Sequence, residues 1–114
     1  MATDRLNEYE RGIIVPLVCD MLRKSCGRPL SSSVIAEGIR SRGFTVTTRC
    51  VRRVINHIRC TGIIPCVASS PKGFFVASNE REITECIYTL ASLADSIQEV
   101  IDALKRQRYV KFNI

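Results

Sequence analysis

Arg49, Arg52, Arg53 and Asn56 recur at i, i+3, i+4 and i+7, the spacing of one face of an α-helix. An Arg side chain offers two parallel N–H groups to guanine or phosphate, and an Asn amide makes a two-bond contact with adenine. The chemistry these types support is recognition of nucleic acid, not bond-making. Val51, Val54, Ile55 and Ile58 recur at the same interval, about 180° away around the helix. One side of the segment 47–60 is therefore apolar and the other is guanidinium and amide. A solvated surface helix usually mixes Lys with Glu and Asp, whereas 47–60 holds no acidic residue. Thr47 and Thr48 stand at its start, where hydroxyls and unpaired backbone N–H groups suit phosphate. Arg40, Arg42 and Lys72 are the flanking cations expected to neutralise further phosphates. For Arg52 and Arg59 the competing reading is pairing with nearby acids. His57 falls on the flank of the helix, as a packed boundary residue.

Other chemistries find less support. The six cysteines (Cys19, Cys26, Cys50, Cys60, Cys66 and Cys86) are spaced 7, 24, 10, 6 and 20 apart, with no CxxC pair. Zinc sites usually show two close ligand pairs, and His57 is the only histidine. These cysteines are expected to be reduced and mostly to act as small buried hydrophobes. The acids scatter, most of them over 4–10 and 80–102, around no Gly-rich or nucleophile–base motif. An enzyme is not expected, and neither is a metal or other cofactor.

The bulk numbers agree with a binding domain. A chain of 114 residues that is 46% hydrophobic is one domain's worth with a real core. Seventeen basic against eleven acidic residues give +6, which favours a polyanionic partner. The bases concentrate at 40–59 and 105–111, not along one amphipathic helix with bulky anchors, so a membrane surface fits less well. Apolar runs are too short for a transmembrane span. The first residues lack the basic-then-apolar layout of a signal peptide, and a cytoplasmic location is expected.

The elements that must position these residues can be read in order. Ile13, Ile14, Leu17, Val18, Met21 and Leu22 form a helical stripe over 9–24, with Pro16 forcing a start or a bend. Gly27 stops it. Ser31, Ser32 and Ser33 offer caps for a second helix over about 33–42, with Val34, Ile35 and Ile39 as its apolar positions. Ala36 and Gly38 are small enough for another helix to approach. Gly43 suits the left-handed position after that helix, and Phe44 and Val46 are expected to point inward. Gly62 ends the Arg-rich helix. Residues 63–68 predict a strand made irregular by Pro65, 69–73 a turn, and 74–77 the returning strand. Asn79 with Glu82 makes a box-like start to a helix reaching about 106. Its Ile83, Ile87, Leu90, Ala94, Ile97, Ile101 and Leu104 form a heptad seam, widened by Leu93 on a neighbouring row. The fold class is mainly α with a small β-hairpin, and 109–114 is a basic, aromatic tail: a disordered end by default, with a nucleic-acid arm or an added oligomer contact as the alternatives.

The order of these parts resembles the winged helix-turn-helix of the biotin-repressor and DeoR-like type. The resemblance rests on Leu30 to Glu37, on Thr47 to Ile58, on Gly62-Ile63-Ile64-Pro65, and on Ser70-Pro71-Lys72-Gly73-Phe74-Phe75-Val76. It covers about residues 10–78. It implies a winged domain over 9–78, with the Arg-rich helix in the major groove and the hairpin tip, Ser69 to Lys72, along the DNA backbone. A brief strand is often found where Arg28-Pro29-Leu30 stands. The turn Ser41 to Val46 is longer than usual, and the tip carries a single cation, Lys72.

The helix over 79–108 has no counterpart in the minimal family domain. At about 27 residues it would span about 40 Å, more than a winged domain can cover, so Ile83, Ile87, Leu90, Leu93, Ala94, Ile97, Ile101 and Leu104 are expected to oligomerise. It is similar in this to the C-terminal dimerisation helix of PadR-like regulators. The expected function is a double-stranded-DNA-binding, repressor-like transcriptional regulator acting as a homo-oligomer, most simply a dimer. The alternatives are a protein-interaction module working through the C-terminal helix and a phage or plasmid replication-initiation protein.

Overall fold

The computed structural model describes residues 5–114. Five helical segments and one hairpin follow one another: a π-helical turn Glu10–Ile14, α1 Val15–Lys24, α2 Ser32–Arg40, α3 Thr48–Thr61, β1 Val67–Ser70, β2 Gly73–Val76 and α4 Glu80–Phe112. The fold is mainly α with a small antiparallel hairpin. By internal contacts the chain divides into two units, residues 1–83 and 84–114.

α1 starts at Val15 with Pro16 in its first turn, and a π-helical turn leads into it. The Val15 N–H reaches back to the Glu10 carbonyl, one residue farther than in an α-helix. This wide turn lies directly before the proline, whose ring would otherwise crowd the carbonyl four residues back. The extra residue also changes which side chains face inward. Ile14 and Glu10 are buried, while Ile13, expected in the core stripe, is exposed. Asn7 caps the segment: its Oδ1 accepts the Glu10 N–H at 2.7 Å, and Glu10 Oε1 accepts the Asn7 N–H at 3.0 Å.

The core of the first unit is built from one face each of α1, α2 and α3. Val18 and Leu22, Ile35 and Ile39, and Val51, Val54, Ile55 and Ile58 are fully buried. Each such side chain contributes about 1.5–3 kcal/mol. Ser31 caps α2, its Oγ accepting the Val34 N–H at 3.1 Å. Gly38 admits the Met21 side chain into the space a Cβ would take. Val34 is exposed, and so is Phe44, whereas Val46 turns inward as expected. Gly43 has the expected left-handed φ of 90°.

The hairpin starts later than the sequence suggests. Residues 63–66 are turn, with Gly62 at φ 75° and Cys66 at φ 61°. Pro65 has no N–H to give to a ladder, and pairing starts only at Val67. The register runs from Val67 opposite Val76 to Ser70 opposite Gly73, leaving the two-residue turn Pro71-Lys72. The brief strand foreseen at Leu30 is present as a single bridge. Its N–H and C=O both bond Phe74, at 2.8 Å each. Gly73 has φ 138°, and a Cβ there would overlap the backbone of Leu30 and Ser31.

Asn79 Oδ1 accepts the Glu82 N–H at 2.9 Å, and Glu82 Oε1 accepts the Ser78 N–H at 2.7 Å. Both contacts fix the start of α4. Its end lies beyond the expected 106: the helix runs through Tyr109, Val110, Lys111 and Phe112, where a disordered tail was the default. No Gly or Pro interrupts that stretch, and Asn113, in the left-handed region at φ 62°, terminates it with its N–H on the Tyr109 carbonyl. No helix among the described residues is long and apolar enough to cross a membrane.

Candidate nucleic-acid interface

Two caps and four buried aliphatics hold α3 in place. Thr47 is extended (φ −106°, ψ 160°) and its Oγ1 accepts the Cys50 N–H at 3.0 Å. That bond uses a lone pair and leaves the hydroxyl proton for an external acceptor. Gly62 closes the other end in left-handed geometry. With Val51, Val54, Ile55 and Ile58 buried, the opposite face must point outward. Arg49, Arg52 and Asn56 on that face are exposed, and Thr48 at the head of the helix is half-buried. No ion pair among the described residues involves Arg49 or Arg52. Cys60 continues the same row and is exposed.

Arg53 has a different setting. Its Nη2 lies 2.6 Å from Glu10 Oε2, and the Cys50 thiol donates to the same oxygen at 3.1 Å. Burial pushes the Glu10 carboxyl up, but the Asn7 N–H, the Cys50 thiol and the Arg53 guanidinium together outweigh it and hold Glu10 below the usual carboxylate range. Cys50 is pushed up to about 11 by burial, and then by the carboxylate it donates to. Arg53 is thus partly committed to locking α3 onto the first helix, although its side chain remains 41% exposed.

The flanking cations are also positioned by internal contacts. Arg40 reaches across the turn after α2 to donate from Nε to the Val46 carbonyl at 2.9 Å. Arg42 lies 3.6 Å from Asp20, which also pairs with Lys24 at 3.2 Å. Arg59 turns away from the outward row. Its Nε donates to the Val67 carbonyl at 2.8 Å and its guanidinium covers the Phe74 ring, tying α3 to the hairpin. Lys72 is exposed at the hairpin tip. His57 is half-buried on the flank.

Sequence reasoning missed Tyr9 and Glu10. The Tyr9 hydroxyl donates to the Thr45 carbonyl at 2.9 Å and accepts the Thr45 N–H at 3.1 Å, clamping the turn that leads into α3. The Asn7–Glu10 spacing before an apolar stripe is a capping signal and marks Glu10 as an ordered residue, but nothing local points to Arg53. Among the described residues no group of three or more His, Cys, Asp or Glu could hold a metal ion. Cys19, Cys50 and Cys86 are buried, and Cys26, Cys60 and Cys66 are exposed.

Comparison of the chain with protein-family models, with curated proteins and with solved structures gave no match.

Proposed function

We propose that the protein binds double-stranded DNA through α3, in the manner of a winged helix-turn-helix, and acts as a small repressor-like regulator that associates with itself through α4. The observation that carries this reading is the outward row Arg49, Arg52 and Asn56 on a helix with no acid. From Arg49 to Asn56 the row extends about 10 Å. An α-helix with its side chains is about 10–12 Å across and enters the major groove, which is about 12 Å wide. The bridged hairpin, with Lys72 at its exposed tip, is the natural wing and suits a backbone phosphate. Thirteen basic against six acidic residues fall in 5–83, so the charge excess belongs to the unit that carries α3. Replication initiation would use the same interface for a different task.

The test is a mobility-shift titration on random-sequence duplex DNA at two salt concentrations. The informative variant is Arg49→Ala with Arg52→Ala, because removing Arg53 would also strand Glu10. The wild type should bind more weakly as salt rises. The double variant should lose binding while keeping its helical circular dichroism, and any residual salt slope should be lower by about 0.9 per lost phosphate contact. Equal binding by both proteins, or none at low salt, would sink the proposal. The interaction-module reading would then lead, on the strength of the apolar row exposed along α4.

A further inference from the structure

Seven large aliphatic side chains stand exposed along one side of α4. Ile87, Leu90, Leu93, Ile97, Val100, Ile101 and Leu104 are each 38–59% exposed. They run over about 27 Å of helix. Such a stripe exceeds the patches that monomers usually leave in water. The charges on the same helix are sorted by position. From Glu80 to Asp102 there are six acids and one base, Arg81, whereas Lys105, Arg106, Arg108 and Lys111 follow with no acid among them.

We propose that α4 pairs with α4 of a second copy in antiparallel orientation, in the register that sets Ile87 against Leu104 and Glu80 against Lys111. The proposal rests on the self-association reading above and adds orientation and register to it. A seam of alternating four- and three-residue steps matches its own reverse, since a and d positions face each other in antiparallel pairs. Once Ile87 meets Leu104, Leu90 meets Ile101 and Ala94 meets Ile97. The small Ala94 beside Ile97 lets the two backbones come close at the centre. The same steps carried outward bring Ile83 to Arg108 and Glu80 to Lys111. Every central layer is then apolar and each end of the seam closes on an ion pair, two per dimer by symmetry. A parallel, in-register pair gives the opposite result. It would set the four bases of one copy beside the four of the other, a like-charge contact that costs stability. The helix dipoles also favour the antiparallel arrangement. A foreign partner would need no such match between a helix and its own reverse.

Sedimentation equilibrium on the full chain tests this with wild type, Glu80→Lys, Lys111→Glu and the double variant, helicity being checked by circular dichroism. The wild type is expected to dimerise. Each single exchange turns both end pairs into repulsions and should weaken the dimer about tenfold at low salt, and the double exchange should restore it. In a parallel dimer the singles swap one like-charge pair for another, and no change in either single overturns the proposal. If only the helix-end dipoles matter, the double is weaker than either single, which also overturns it. A wild type that stays monomeric at high micromolar concentration overturns orientation and self-association together. DNA binding fails or survives separately: the Arg49→Ala/Arg52→Ala variant should dimerise as the wild type does, and duplex binding by a monomer would leave the α3 reading intact.

Discussion

Glu10 is a buried carboxylate that keeps its charge because the Asn7 N–H, the Cys50 thiol and the Arg53 guanidinium all answer it. Removing one partner of such a group costs more than making the pair gains. Arg53→Ala should therefore destabilise the protein by about 2 kcal/mol, a figure kept low because the guanidinium is partly in water. Chemical denaturation measures it, and Glu10→Gln in the same background should recover part of the loss. The pH dependence follows from the two shifts. Glu10 titrates below its ordinary 4.5, so its contribution is complete above that value and is lost as pH falls through the lower folded one. Cys50 titrates near 11 instead of 9; between those values the folded chain keeps a proton that the unfolded chain releases, and stability falls as pH rises. Denaturant melts from pH 3 to 11 should show both limbs, and Cys50→Ala should flatten the alkaline one. The outward placement of Arg49, Arg52 and Asn56 on α3 was legible from residue type and interval. The diversion of Arg53 was not, because its partner lies 43 residues away and faces it only after the first helix has packed.

Helix starts were the most legible elements. Ser31, Thr47 and Asn79 each accept the N–H bond their types foretell, because a cap is a local interaction among four residues. Thr47→Ala should cost about 1 kcal/mol in thermal or chemical denaturation and fray the head of α3. Thr47→Ser should retain most of the stability, since it keeps the accepting oxygen. The elements that were misjudged depend on choices a local pattern does not encode. The wide turn before Pro16 preserves the helix at the cost of one register step, so Ile13 points outward although its spacing fits the stripe. The strand begins after Cys66, not at Ile63, because the left-handed Gly62 and Cys66 hold 63–66 as a turn. The tail was read from its position near the terminus, whereas no Gly or Pro interrupts it and α4 continues through Phe112.

Across the whole chain the charge is unevenly shared. Residues 84–114 carry four acids and four bases, so the excess lies entirely in the other unit. The proposed polyanion binding and self-association fall in different parts of the sequence and should vary independently. If folding is linked to pairing, the melting temperature rises with protein concentration. A calorimetric series over a hundredfold range should show this for wild type and for Arg49→Ala/Arg52→Ala, and should lose it in Leu90→Asp/Ile97→Asp. A melting temperature independent of concentration would mean that the α4 seam contributes nothing to stability. The uneven charge and the long C-terminal helix were legible from composition and heptad spacing. The boundary was not: it falls at 83/84, inside α4, where an uninterrupted helical pattern gives no compositional break.

The bridge between Leu30 and Phe74 anchors the hairpin at its base, whereas Pro71 and Lys72 stand exposed at its tip. The two ends of this small element therefore differ in what a substitution would disturb. Gly73 is closed to every side chain by the backbone it touches. The tip, one residue earlier, can lengthen or gain lysines without disturbing anything that holds the hairpin in place. Variation among descendants of this chain should collect there while the rest of the domain stays fixed.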